Sequence, residues 1–89
     1  MQVFIYYYSK LGAPRGDVEA ELEALLEGRG EVTGGGGGVS GGNIDLELDC
    51  DDPAQVVQEI RQLLRKLSLP ANTVLDVEGC RLGLYEEQT

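Results

Sequence analysis

The sequence predicts an α+β sandwich in which an antiparallel sheet carries two helices on one face. Three observations predict it. The chain opens on an apolar, aromatic, β-branched run, "QVFIYYYS". A strict apolar–acidic alternation, "NIDLELDC", lies near its middle. Two stretches, after Asp17 and after Asp52, repeat their apolar residues at helical spacing. With 89 residues the chain is read as a single domain over 1–89, with one modest core.

The elements follow in order. "QVFIYYYS" is apolar on both faces, as expected of a covered central strand. "LGAPRG" is a loop. Val18, Leu22, Leu25 and Leu26 then recur as one face of a helix, with Asp17 as its N-cap and "GRG" at 28–30 as its stop. Glu19, Glu23 and Glu27 form an i, i+4 ladder without an intervening lysine, which weakens a helix unless a cation lies alongside. In "NIDLELDC", Ile44, Leu46, Leu48 and Cys50 face one way, and Asn43, Asp45, Glu47 and Asp49 the other. "DDPAQ" opens the second helix: Asp52 caps, Pro53 takes the first helical position and Gln55 completes a capping-box pattern. Its stripe is Val56, Ile60, Leu63, Leu64 and Leu67. Arg61, Arg65 and Lys66 crowd its end, where the helix dipole favours cations, and they are the expected partners of the glutamate ladder. "TVLDV", a turn at "EGC" and "RLGLY" read as a strand, a turn and a short last strand. The order is β-α-β-β-α-β, with room for an added short C-terminal strand. Two βαβ halves joined through a hairpin make the ferredoxin-like split sandwich, which leaves one sheet face open.

Seven of the thirteen glycines fall in "TGGGGGVSGGN" at 33–43. As a plain loop this would be long for a hairpin. Placing the turn at Gly41-Gly42, a favoured two-residue pair, makes 33–40 an edge strand paired with 43–50. Ser40 then faces Asn43, Val39 faces Ile44, Gly37 faces Leu46, Gly35 faces Leu48 and Thr33 faces Cys50. On the other face Gly38 meets Asp45, Gly36 meets Glu47 and Gly34 meets Asp49. The glycines leave a bare strip beside three carboxylates, open to close approach by another chain. Phosphate binding is not expected, because the run feeds a strand rather than a helix N-terminus and is followed by acidic residues.

The formal net charge of −9 argues against nucleic acid and against anionic membrane surfaces, and favours a basic partner. No stretch approaches a membrane span, and the first ten residues lack the basic region and cleavage site of a secretory signal, so a cytoplasmic location is expected. Cys50 and Cys80, without a CxxC and without any histidine, give neither a zinc site nor an activated nucleophile, and read as idle thiols. Asp45, Glu47 and Asp49 would suit a loose cation or a strip for Lys and Arg, but they lack a calcium loop. No cofactor or metal is expected. Tyr6, Tyr7 and Tyr8 lack the basic surroundings of RNA-stacking aromatics and read as core and sheet-face residues. "RGD" at 15–17 is read as a chance match.

"APRGDVEAELEALL" after the first strand is similar to the strand-to-helix turn of ACT domains, although Arg15 separates Pro14 from Gly16. That resemblance implies a small-ligand-sensing dimer. Over most of its length the chain resembles small bacterial ferredoxin-like proteins of uncharacterised function, on the Gly-rich hairpin, acidic strand and "DP" helix start at 33–54 and "LPANTVLDV" at 69–77. That resemblance implies the fold and carries no catalytic residues.

The expected function is a non-enzymatic interaction module, immunity- or antitoxin-like. Its acidic sheet face, around Asp45, Glu47 and Asp49 with Gly34, Gly36 and Gly38, would meet a basic protein or a second copy of the chain. The alternatives are the ACT-like ligand-sensing dimer and an enzyme of unrecognised type.

Overall fold

The computed structural model of the chain describes residues 1–12, 14–38 and 40–86. Its elements are β1 (Gln2–Tyr7), α1 (Arg15–Leu26), β2 (Gly30–Gly38), β3 (Gly41–Leu48), α2 (Pro53–Lys66), β4 (Val74–Val77) and β5 (Cys80–Gly83). The five strands form one antiparallel sheet in the order β2-β3-β1-β4-β5. The architecture is α+β and consistent with a ferredoxin-like sandwich, with a fifth strand beyond the four of β-α-β-β-α-β. The apolar first strand lies centrally, between β3 and β4, as its two-sided apolar pattern implies.

One sheet face makes the core. Val3, Ile5 and Tyr7 of β1, Ile44, Leu46 and Leu48 of β3, and Leu75 of β4 are buried against Val18, Leu22 and Leu26 of α1 and Val56, Ile60 and Leu64 of α2. Each such aliphatic side chain contributes about 1.5–3 kcal/mol by leaving water. The Asp52 cap and the Pro53 opening of α2 are as read: the Gln55 N–H donates to Asp52 Oδ1 at 3.2 Å, and Pro53 takes the first helical position. The β4–β5 turn at Glu78 (φ 51°) and Gly79 (φ 85°) is left-handed at both residues, which matches the twist of the strands it joins.

Three expectations are corrected. First, α1 begins at Arg15, not after an Asp17 cap. Pro14, already at a helical φ of −57°, starts it, and its carbonyl accepts from the N–H groups of Asp17 and Val18 at 3.0 and 3.3 Å. Asp17 falls in the first turn, where its charge meets the positive helix end.

Second, the glycine run is a strand, but its register differs. Gly38 pairs with Gly41, Gly37 with Gly42, Gly36 with Asn43, Gly35 with Ile44 and Gly34 with Asp45. The chain turns between Gly38 and Gly41, not at Gly41-Gly42, and the register shifts between Val32 and Gly34. Val32, Glu31 and Gly30 then meet Leu46, Glu47 and Leu48. Thr33 sits at this irregularity and donates from Oγ1 to the Asp45 carbonyl at 3.3 Å. The facing of Val39 lies outside the described residues. The reason lies underneath the hairpin. The Tyr7 hydroxyl occupies the space where a Cβ of residue 37 or 42 would stand, at 2.7 and 2.6 Å. The Arg15 side chain fills the space below Gly35 and donates from Nη2 to the Asn43 carbonyl at 3.3 Å. Gly42 is needed inside the strand, so it cannot be the turn.

Third, the glutamate ladder does not meet the α2 cations. Glu19 pairs with Arg15 of its own helix at 3.5 Å, and Glu23 and Glu27 are exposed. Arg61 is buried, and its Nη2 donates to the carbonyls of Gly83 (3.2 Å), Leu84 (3.4 Å) and Glu86 (2.5 Å). Arg65 Nε donates to the Leu84 carbonyl at 2.8 Å. The segment that follows β5 offers backbone acceptors at no desolvation cost to a carboxylate, and it takes both arginines. Across the helical layer the ion pair is a different one: Arg29, just after α1, makes two hydrogen bonds with Glu59 of α2, at 2.9 and 3.1 Å.

Candidate functional site

The sheet face opposite the helices is built from three cross-strand rows. In the first, Gly34, Asp45, Phe4, Asp76 and Arg81 stand side by side on β2, β3, β1, β4 and β5. In the second, Glu31, Glu47 and Gln2 are neighbours. In the third, Gly36, Asn43, Tyr6, Val74 and Gly83 are neighbours. Alternation along each strand explains why these residues share a face, since their sequence neighbours Val3, Ile5, Ile44, Leu46 and Leu75 are in the core.

Phe4 thus lies between two carboxylates, and its ring centre is 6.3 Å from that of Tyr6. Both carboxylates are oriented by one oxygen. Asp45 Oδ1 accepts from Asn43 Nδ2 at 2.7 Å, and Asp76 Oδ1 from the Gly79 N–H at 3.0 Å. Asp45 Oδ2 has no hydrogen bond or ion pair among the described residues, and Asp76 Oδ2 has only Arg81 Nε at 3.9 Å. Arg81 lies over the Tyr6 ring, with its guanidinium carbon 5.5 Å from the ring centre. Glu31 faces Glu47 directly, a like-charged pair that mutually repels. Glu47 Oε1 is 3.6 Å from the Met1 nitrogen, and its shielded Oε2 has no hydrogen-bond partner among the described residues.

No family model, curated protein or solved structure matches this chain significantly. The chemistry of the site therefore rests on its own geometry.

The residues expected from the sequence are distributed as follows. Asp45 and Glu47 stand on the open face. Asp49 lies one residue past the end of β3, exposed, with its N–H on the Arg29 carbonyl at 2.8 Å. It joins Glu31 and Glu47 around an open depression of about 600 Å³ at the end of the sheet. Gly34, Gly36 and Gly38 lie on the Asp45 side, because the register moved by an even number of residues there. None of the three is sterically required. A Cβ at 36 or 38 would meet nothing within 4 Å, and one at 34 would make an ordinary 3.8 Å contact with Asp45 Oδ2. In the run the packing demands glycine at 35, 37 and 42 on the other face, and at 41, where a Cβ would run into the Tyr7 carbonyl oxygen.

Sequence reasoning missed Phe4, Asp76 and Arg81 as members of this face, and Tyr6 as the seat of an arginine. The signal present was the alternation of β1 itself: Phe4 and Tyr6 share a parity opposite to Val3, Ile5 and Tyr7. Among the described residues no group of three or more acidic or cysteine side chains is placed to hold a metal ion. Cys50 is half-buried and Cys80 exposed, both as free thiols. No helix of the structure is long and apolar enough to cross a membrane.

Proposed function

We propose that this chain is a non-enzymatic interaction module, immunity- or antitoxin-like, that presents its open sheet face to a basic protein partner. In this reading the fold is the ferredoxin-like split sandwich with β5 added at one edge, of the kind found in small bacterial ferredoxin-like proteins, and it works in the cytoplasm. The observation that carries the reading is the row Gly34–Asp45–Phe4–Asp76, an apolar ring set between two oriented carboxylates and flanked by a strip without side chains. Four of the seven cations support it from the other side. Arg15, Arg29, Arg61 and Arg65 are engaged elsewhere within the chain, so few remain to neutralise the acidic surface. A cationic partner gains in encounter rate from such a field, more at low salt. The test is affinity capture from native lysate at low and high salt, with the wild type and with Asp45→Lys/Glu47→Lys, folded by circular dichroism. Loss of a salt-sensitive basic partner in the double variant supports the reading; retention of every partner at low salt overturns it.

A second reading, self-association as a dimer, is favoured by β2. It is an edge strand whose glycines 34–38 are exposed and carry no side chain to block another strand. A sedimentation coefficient that stays monomeric at high concentration would overturn this.

A further inference from the structure

We propose that the group this face takes is the guanidinium of a partner's arginine, and that Arg81 is an intramolecular occupant which that arginine displaces. The inference rests on the partner-binding reading above and narrows it to one side-chain class.

A carboxylate strip alone would accept any cation. Here two aromatic rings lie inside the strip. Asp45 and Asp76 are two strand spacings apart, about 10 Å, with Phe4 on the strand between them. A planar guanidinium laid on the Phe4 ring can donate in its own plane to Asp45 Oδ2 on one side and Asp76 Oδ2 on the other. Each carboxylate holds its second oxygen ready because the first is already bonded, by Asn43 or by the Gly79 N–H. An ammonium is a compact, strongly hydrated point charge, and it can satisfy the ring or one carboxylate but not the whole row. Gly34 leaves the Asp45 flank flat, so an approaching chain meets no side chain there.

Arg81 shows the same chemistry within the molecule. It combines an aromatic face, Tyr6, with a carboxylate, Asp76, as the incoming group would. It is held loosely, since its only carboxylate contact among the described residues is at 3.9 Å and its side chain is 59% exposed. A partner arginine that reaches both Asp45 and Asp76 outcompetes it. The exposed carboxylates of α1 and its C-cap, at Asp17, Glu21, Glu23 and Glu27, form the rival acidic surface, and no aromatic residue lies within that segment.

The experiment is an NMR titration of the ¹⁵N-labelled protein at low ionic strength with two acetylated hexapeptides of equal charge, one alternating glycine with arginine and one alternating glycine with lysine. The arginine peptide is expected to shift the amides around Phe4, Asp45 and Asp76, and to bind at least about threefold tighter than the lysine peptide. Phe4→Ala should weaken it about two- to fivefold and abolish the arginine preference. Arg81→Ala should tighten it by a similar factor, because a competitor has gone. Equal affinities for the two peptides at this face, or weaker binding by Arg81→Ala, would overturn the guanidinium assignment and leave the acidic-face reading standing. Shifts confined to α1, or none on β1, β3 and β4, would overturn both.

Discussion

Adjacent glycines in β2 should respond in opposite ways to the same substitution. Gly35 has φ +144°, a region that residues with a Cβ rarely enter, at a cost of about 1–3 kcal/mol. An alanine Cβ there would also run into the Asn43 carbonyl oxygen and Arg15 Nη2, and stand 3.1 Å from Ile44 Cα. The carbonyl belongs to β3 and cannot yield, so the guanidinium must leave its hydrogen bond, which costs about 1.5 kcal/mol more. Gly35→Ala should therefore destabilise by about 2.5–4.5 kcal/mol. Gly36 has open space where its Cβ would stand. Gly36→Ala should stabilise by about 0.4–1 kcal/mol, mainly by restricting the unfolded chain. For a domain of this size each kcal/mol moves the melting temperature by about 4–8 °C. Thermal unfolding followed by circular dichroism should then show Gly36→Ala about 2–8 °C above wild type and Gly35→Ala at least about 10 °C below it. Equal losses in the two variants would refute the alternation of β2 over Arg15 and Tyr7. So would a neutral Gly35→Ala, which would mean that the glycine run does not pair as described. Gly36→Ala is also the clean probe of the bare strip, because it adds a methyl group to the open face without touching the fold.

Two further outcomes follow from the arginines. Arg61→Ala should cost about 2–4 kcal/mol in urea unfolding and raise amide exchange in β5 first, because it strips a buried charged donor from three carbonyls of the Gly83–Glu86 segment; exchange unchanged in β5 would show that the tail is held otherwise. Glu59 has its carboxyl held below the ordinary value of 4.5, chiefly by the hydrogen bond from Arg29; desolvation opposes this, and the Arg29 charge and a hydrogen bond from Gln55 add smaller lowering effects. A depressed folded pKa stabilises above the ordinary value and loses that contribution as pH falls through the folded one. The stability gap between wild type and Glu59→Gln should therefore be full near neutrality and close below pH 4.5, and a gap that is constant with pH would refute the pairing.

Much of this molecule follows from local pattern. The alternation of Ile44, Leu46 and Leu48 with Asp45 and Glu47 is written in β3, because a strand turns successive side chains to opposite faces whatever it packs against. The α2 start needs only Asp52, Pro53 and Gln55, all within one turn. The glycine run could be recognised as a strand because its neighbour had a period of two, and Gly34, Gly36 and Gly38 kept their face because an even shift preserves parity. What local pattern could not supply was anything set by a residue distant along the chain. Glycine carries no side chain to mark its register, so the pairing was decided by the Tyr7 hydroxyl and Arg15, which fill the space beneath Gly35, Gly37 and Gly42. The destination of Arg61 and Arg65 was decided by the carbonyls after β5, which are invisible to charge pairing. The open face itself needed the sheet order. Only because β1 lies between β3 and β4 does Phe4 come to stand between Asp45 and Asp76, two carboxylates 31 positions apart in the chain.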